Sequence, residues 1–433
     1  MKRMVCVLTA LMMICVSVTT ASALDYGCSI DPVCDAVYLE ELNTGAVVYE
    51  YNADERVYPA STTKIMTYII VAENVEDFDQ TMIEITEDSL AELDPESSVM
   101  GLESHIGESF SVRDLLYGLM LPSGNDAALV LAGYVGGSID GFADLMNRKA
   151  AQLGCEGTHF MTPHGLHDAN HYTTARDMAV ITKYALQLKD FAEITNTKSY
   201  TPSGFTEPVT TTNYLIDQSQ HDGVYYYPYA KGIKTGYTDE AGRCLISAAE
   251  KNEYHYLCVA LGADYSFAED INYAMLDTAA FYKWAFDSVS NQIVYSSSDT
   301  LQSIPVEYVW GNQTLDLVPA SEVKSLLPNG YDPALITTKV ECKDTAVAPV
   351  QKGDVFGTLS VYYDDELIGT CDIVSSEDVE RQWLNYILHQ AIEFIRGHFI
   401  LFIIIVIVLI ILVLILAENI RRKRALRARR RAR

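Results

Sequence analysis

The sequence predicts an α+β fold: an antiparallel sheet covered by helices, with a helical subdomain between its strands, then a small all-β domain and one C-terminal transmembrane helix. Three observations predict it. Residues 36–51 alternate as a hairpin, and a second strand pair returns only at 243–261, with helical runs between. From about Val289 the texture changes to short alternating strands with Gly, Asp and Ser turns. Phe399 to Ala417 carries no charge and is dominated by Ile, Leu and Val, and its nineteen residues are long enough to cross a bilayer as a helix.

In chain order, residues 1–23 hold Lys2 and Arg3, an apolar run and Ala21-Ser22-Ala23, the pattern of a secretory signal peptide cleaved to leave Leu24 near the mature start. An uncleaved anchor is the alternative. Ala36 to Leu42 and Ala46 to Tyr51 form the first hairpin around Asn43-Thr44-Gly45. Helical runs fill roughly 62–75, 111–135, 139–153, 173–196 and 264–287. Arg243–Ala249 and Tyr254–Leu261 read as strands joined by a turn at Glu250 to Glu253. These elements assign residues 24–287 to one region, long enough for a single large core. Residues 288–376 form the β-rich domain, 377–397 a juxtamembrane helix, 398–417 the span and 418–433 a basic tail. No internal repeat is present.

The net charge of −27 hides a split. The tail from Arg421 to Arg433 has nine basic residues in thirteen, and the positive-inside rule puts it in the cytoplasm, with the rest of the mature chain outside a cell membrane crossed once. Beside a span, such a run is explained by stop-transfer and by anionic lipid rather than by nucleic acid. Between signal and tail, 20 basic residues face 57 acidic ones, a net charge of about −37, which excludes nucleic acid as a natural partner. Any anionic substrate group then needs a local cationic pocket.

Three short strings carry the chemistry: Ser61-Thr62-Thr63-Lys64, Ser123-Gly124-Asn125 and Lys234-Thr235-Gly236. Alone, each has an ordinary explanation: a helix N-cap, an inter-helix turn, a glycine turn before a hairpin. In this order they supply what acyl transfer on a carboxylate-bearing amide requires. Ser61 enters the apolar helix at 62–75, where free N–H groups favour a developing oxyanion. Lys64 lies one turn along the same face and reaches the hydroxyl. It serves as a base only when neutral, which burial beside a second cation such as Lys234 achieves. Ser123 relays a proton between Lys64 and the leaving amine, and Asn125 bonds the substrate amide or Lys64. Lys234 and Thr235 bind the terminal carboxylate on an edge strand. Gly236 permits close backbone approach, and the Tyr237 N–H joins that of Ser61 as an oxyanion hole.

The three strings in this order are the signature of serine penicillin-binding proteins and class A β-lactamases. Over about residues 35–285 the sequence resembles the low-molecular-mass penicillin-binding proteins, the serine-type D-alanyl-D-alanine carboxypeptidases. Val57–Met66, Leu115–Ala128, His164–Ala179 and Gly232–Thr238 all resemble that family's text. The resemblance implies a penicillin-binding protein/β-lactamase-like catalytic domain at 24–287, with Ser61 as acyl-enzyme nucleophile, Lys64 as base, Ser123 as second catalytic serine and Lys234 as carboxylate anchor. It implies removal of the terminal D-alanine from peptidoglycan stem pentapeptides and acylation of Ser61 by penicillins. Pro349–Tyr362 resembles the family's small C-terminal β domain. Two alternatives stay open: a D,D-endopeptidase or β-lactamase of the same superfamily, and a catalytically idle wall-binding or β-lactam-sensing protein. Ser-Gly-Asn in place of Ser-Asp-Asn, the β domain and the span weigh against a β-lactamase, and the intact motifs weigh against idleness.

No cofactor is expected. His164, His167 and His171 sit in a Pro, Gly, Asp and Asn loop before a capping-box-like Thr174-x-x-Asp177, without the carboxylate or cysteine spacing of a zinc site, so no metal is expected either. The loop is expected to border the cleft. Of nine cysteines, Cys6 and Cys15 leave with the signal. Cys28 with Cys34, Cys244 with Cys258 and Cys342 with Cys371 are possible disulfides, leaving Cys155 free. The sequence does not fix the connectivity.

Overall fold

A computed structural model describes residues 24–264 and 271–431. The predicted signal peptide lies outside them. The chain forms two compact units: residues up to Asn291 with Leu326–Tyr331, and Gln292–Ser325 with Asp332 onward.

In the first unit, β1 (Ala36–Glu41) and β2 (Ala46–Tyr51) pair across the predicted turn. β3 (Ala230–Thr238), β4 (Gly242–Lys251) and β5 (Tyr254–Ala263) complete an antiparallel sheet in the order β2-β1-β5-β4-β3. The late pair thus joins the first hairpin, as expected, through β1 and β5. Lys234-Thr235-Gly236 lies within the edge strand β3, a strand longer than the motif alone suggested.

Alternation gives this sheet two apolar faces. Cys244, Ile246, Leu257, Val259 and Leu261 face the helical subdomain. Leu245, Cys258 and Ala260 face Phe281 and Tyr282 on the opposite side. The subdomain consists of α1 (Lys64–Asn74), α2 (Val112–Met120), α3 (Asn125–Gly136), α4 (Ile139–Gln152), α5 (Ala175–Ala185) and the short α6 (Phe191–Thr195). The run predicted at 173–196 ends at Ala185 and resumes at Phe191, after Asp190 turns at φ 60°. Helix α7 (Tyr273–Ser288) covers the other face, and its Tyr282 hydroxyl donates to the Ser247 carbonyl. α1 is buried on every side from Lys64 to Val71, as an all-round apolar helix must be. Each fully buried Ile or Leu of this core contributes about 1.5–3 kcal/mol.

The cysteine pairs do not form; all seven cysteines of the described residues are free thiols. The hairpin turn is tighter than predicted: Lys251 pairs with Tyr254, and Asn252 turns at φ 57°. That register sets Cys258 opposite Ser247. Cys244 also points to the other sheet face from Cys258.

The second unit holds β6 (Gln302–Glu307), β7 (Thr314–Pro319), β8 (Ile336–Cys342), β9 (Ala346–Val347), β10 (Val355–Tyr363) and β11 (Glu366–Ser375). They form one sheet in the order β8-β10-β11-β7-β6-β9. Cys342 and Cys371 lie on β8 and β11, separated by β10. Ile304, Leu315, Leu317, Leu359, Val361 and Ile373 make its core. The juxtamembrane helix α8 (Trp383–Gly397) begins six residues later than predicted. α9 (Phe399–Arg431) follows, and its apolar portion is long enough to cross a membrane.

Candidate active site

The chain enters α1 through a single 3-10 turn, Ala60–Thr63, so Ser61 lies in that turn and Lys64 opens the helix. The three-residue spacing puts both on one face, with Lys64 Nζ 2.9 Å from Ser61 Oγ. Lys64 Nζ also donates to Asn125 Oδ1 at 2.7 Å and to the His164 carbonyl at 2.9 Å. Both partners are obligate acceptors when Asn125 is oriented this way. A neutral amine has two N–H groups and one lone pair. An ammonium would donate to all three oxygens; in the neutral amine the two acceptors take the N–H groups and leave the lone pair for the Ser61 hydroxyl.

Electrostatics favours that neutral form. Burial, then the Lys234 charge, holds Lys64 well below the usual lysine range, against a smaller opposing pull from Asp126. Burial lowers Lys234 to about 7. Its Nζ donates to the Thr235 carbonyl at 3.0 Å.

Two glycines allow the close assembly. A Cβ on Gly236 would stand 3.1 Å from the Pro59 carbonyl oxygen, Ala60 Cβ and Ser61 N, so the bare backbone lets edge strand β3 meet the Ser61 turn. Gly165 sits at φ +86°, and a Cβ there would lie 1.9 Å from the Ala60 carbonyl oxygen. It presses the His164 loop onto that turn.

Ser61, Ser123, Thr235, Gly236 and Tyr237 line one cleft of about 220 Å³. Ser123 occupies the turn between α2 and α3 at φ 66°, a conformation that costs a non-glycine residue about 1–3 kcal/mol. Asn125 opens α3, buried against Lys64. The structure therefore brings all eight expected residues to one place: five line the cleft, Lys64 and Asn125 join it through the Lys64–Ser61 contact, and Lys234 adjoins Thr235 on strand β3.

Among the described residues no group of three or more His, Cys, Asp or Glu side chains is placed to hold a metal ion. The His171 ring accepts from the Met161 N–H at 3.1 Å through Nδ1, so its Nε2–H donates to Thr63 Oγ1 at 2.8 Å. Burial lowers His171 to about 4 and His164 to about 3, keeping both neutral. Thr67 Oγ1 donates to the Pro163 carbonyl in the same loop. His167 packs edge-on against Tyr58.

Several participants were not visible in the motifs. Asp126, read as a first-turn acid, is fully buried, and its carboxylate accepts from the N–H groups of Met100, Gly101 and Leu102 at 2.8–3.0 Å. This ties the loop carrying Ser98, which lines the cleft, to α3. Arg243 was read only as a strand start. It lines the cleft with its guanidinium 4.7 Å from the Tyr237 ring centre. Thr212, Tyr214 and Asn272 also line it, from segments with no local signal.

Comparison with known proteins finds relatives over both units. A sequence profile of D-alanyl-D-alanine carboxypeptidases matches residues 31–265, and one of the penicillin-binding protein 5 C-terminal domain matches 290–381. The chain is 31% identical to D-alanyl-D-alanine carboxypeptidase DacF of Bacillus subtilis, over 79% of this chain and 85% of that protein. It is 31% identical to DacC of Escherichia coli, over 79% and 83%. Penicillin-binding protein 5 of Haemophilus influenzae superposes with a TM-score of 0.60 at 26% identity, covering 82% of this chain and 99% of that one.

Proposed function

The chain belongs to the D-alanyl-D-alanine carboxypeptidase family, and from that premise we propose the steps by which its residues remove the terminal D-alanine from a peptidoglycan stem pentapeptide. The observation that carries the reading is the buried Lys64 amine held 2.9 Å from Ser61 Oγ by Asn125 Oδ1 and the His164 carbonyl. Lys64 takes the Ser61 proton as Oγ attacks the penultimate D-alanine carbonyl carbon. The resulting oxyanion lies against the N–H groups of Ser61 and Tyr237. Ser123 passes a proton from Lys64 to the leaving nitrogen, the C–N bond breaks, and D-alanine departs from an ester on Ser61. Water, its proton taken by Lys64, attacks that ester, releases the tetrapeptide and restores the serine.

Thr235, Lys234 and Arg243 receive the terminal carboxylate. A lysine at about 7 is only partly charged in the free site, and an arriving carboxylate raises its pKa and completes the cation. Asn125 and Gly236 hold the substrate backbone. A penicillin carries both a carboxylate and a reactive amide, so it acylates Ser61 by the same first step.

The apolar run of α9 and the basic tail support a single-pass anchor with the catalytic unit outside the cell membrane and the C-terminus in the cytoplasm. Protease added outside sealed spheroplasts is expected to digest the catalytic unit and spare a tag on the tail; the reverse pattern overturns the orientation.

The chemical test uses the full-length chain in detergent micelles and measures D-alanine release from a stem pentapeptide. Release by the parent and none by Ser61→Ala, with labelled penicillin bound by the parent alone, is the expected result. Undiminished release by the variant would remove Ser61 as nucleophile.

A further inference from the structure

The three motif-bearing elements meet in pairs, each by a different device. Lys64 bonds Asn125 at 2.7 Å, joining the nucleophile turn to the Ser123 turn. Gly236 packs on Pro59–Ser61, joining β3 to the nucleophile turn. The third pair, the Ser123 turn and β3, meets through Thr212, which belongs to neither. Its N–H donates to the carbonyl of Leu121, two residues before Ser123, at 3.1 Å. Its Oγ1 lies 2.5 Å from Thr235 Oγ1, and the residue itself lines the cleft.

The backbone around Thr212 is fixed on both sides. The Thr211 N–H donates to the Lys198 carbonyl at 2.8 Å. Asn213, buried next to it, donates from Nδ2 to the Gly232 carbonyl at the start of β3 and accepts the Leu215 N–H at 3.1 Å. Thr212 is thus a strut between two fixed points, not a loop residue resting near the site.

Two facing hydroxyls place one hydrogen in the bond between them. Were Thr235 the donor, it would turn only lone pairs toward a substrate carboxylate, and the contact would be repulsive. With Thr212 as donor, the Thr235 hydrogen is left for the carboxylate. We propose that Thr212 is a positioning residue that donates to Thr235 and holds its hydroxyl as a donor to the terminal carboxylate, so that it helps the enzyme select substrates ending in a free carboxylate. The inference rests on the assignment of Thr235 to that carboxylate.

The test compares kcat/KM for a stem pentapeptide with that for the same peptide ending in D-alaninamide, using the full-length chain in detergent micelles. Thr235→Val is expected to lower the carboxylate-over-amide preference about tenfold or more, the size of one hydrogen bond to a charged group. Thr212→Val and Thr212→Ala are each expected to lower it about tenfold, through KM rather than kcat, while Thr212→Ser keeps the parent preference. The Thr212→Val, Thr235→Val double variant should show no lower preference than Thr235→Val alone, because both act on one hydroxyl. Equal losses on both peptides after Thr212→Val, or additive losses in the double variant, would make Thr212 merely structural and overturn the inference. If Thr235→Val lowers the preference and neither Thr212 variant does, only the role of Thr212 fails. If Thr235→Val itself leaves the preference unchanged, the carboxylate assignment fails and takes the inference with it.

Discussion

The two units bury different things. Among the described residues, the buried charged or titratable polar side chains Glu40, Glu41, Lys64, Asp114, Asp126, His164, His171, Lys234 and Asp277 all lie in the first unit, whereas in the second the buried polar side chain is Ser375. The second unit is organised as alternation dictates, with apolar residues inward and polar ones outward. The first spends folding energy on holding lysines without water, which stability alone would not select. Of these buried groups, the two lysines and the His164 backbone meet at the candidate site, while Glu40, Asp114 and Asp277 tie elements of the first unit together.

The largest test of that contrast is Lys64→Met, which keeps the volume and removes the amine. D-alanine release is expected to fall by about 10²–10⁴-fold, the usual contribution of a general base. The melting temperature is expected to change little, because removing a desolvated amine offsets the loss of its bonds to Asn125 Oδ1 and the His164 carbonyl. A melting temperature that fell as it does after a core truncation would make Lys64 a structural residue.

Leu359→Ala probes the other side. Deleting a fully buried leucine is expected to destabilise the second unit by about 2–5 kcal/mol, read from thermal unfolding, with D-alanine release retained below the transition. Release lost while the protein is still folded would show that the second unit does more than support.

The Lys234 environment sharpens the comparison through pH. In the free enzyme its conjugate acid, at about 7, sets the alkaline limb of kcat/KM, because the cation that meets the substrate carboxylate is lost above it. Lys234→Arg keeps a cation at every working pH, so the alkaline limb should move upward. A limb that stays in place would assign it to another group.

The smallest effect concerns His171. It titrates near 6.5 in an unfolded chain and at about 4 when folded, so the neutral ring stabilises the fold fully above pH 6.5. That stabilisation is lost as pH falls from 6.5 to about 4, since the unfolded chain binds the proton first. His171→Gln should flatten the decline of melting temperature over this window. An unchanged slope would mean His171 is not a source of the acid sensitivity.

What the sequence revealed follows the range of the interactions. Ser61 and Lys64 are legible because their partnership spans one helical turn, and the Ser123 turn because Pro122 and Gly124 announce it. The edge-strand placement of Lys234 followed from the hairpin beside it. Asp126 looked like a helix-dipole acid because its partners, Met100 to Leu102, lie some 25 residues earlier. His171 reaches Thr63 across 108 residues, and Thr212 reaches Thr235 across 23, through contacts that no local pattern encodes. The Cys244 and Cys258 pair misled for a related reason: one tight turn at Asn252 resets the pairing along their two strands.

The neutral lysine has a consequence for the life of the chain before it is folded. In an extended polypeptide Lys64 titrates near 10.4, as any lysine does, and Ser61 is an ordinary alcohol beside an ammonium ion. Reactivity arrives only when segments near residues 60, 125, 164 and 234 have closed around that nitrogen. On the proposed mechanism, completing the tertiary structure is thus an activation step in itself: until those segments close, Ser61 has no base.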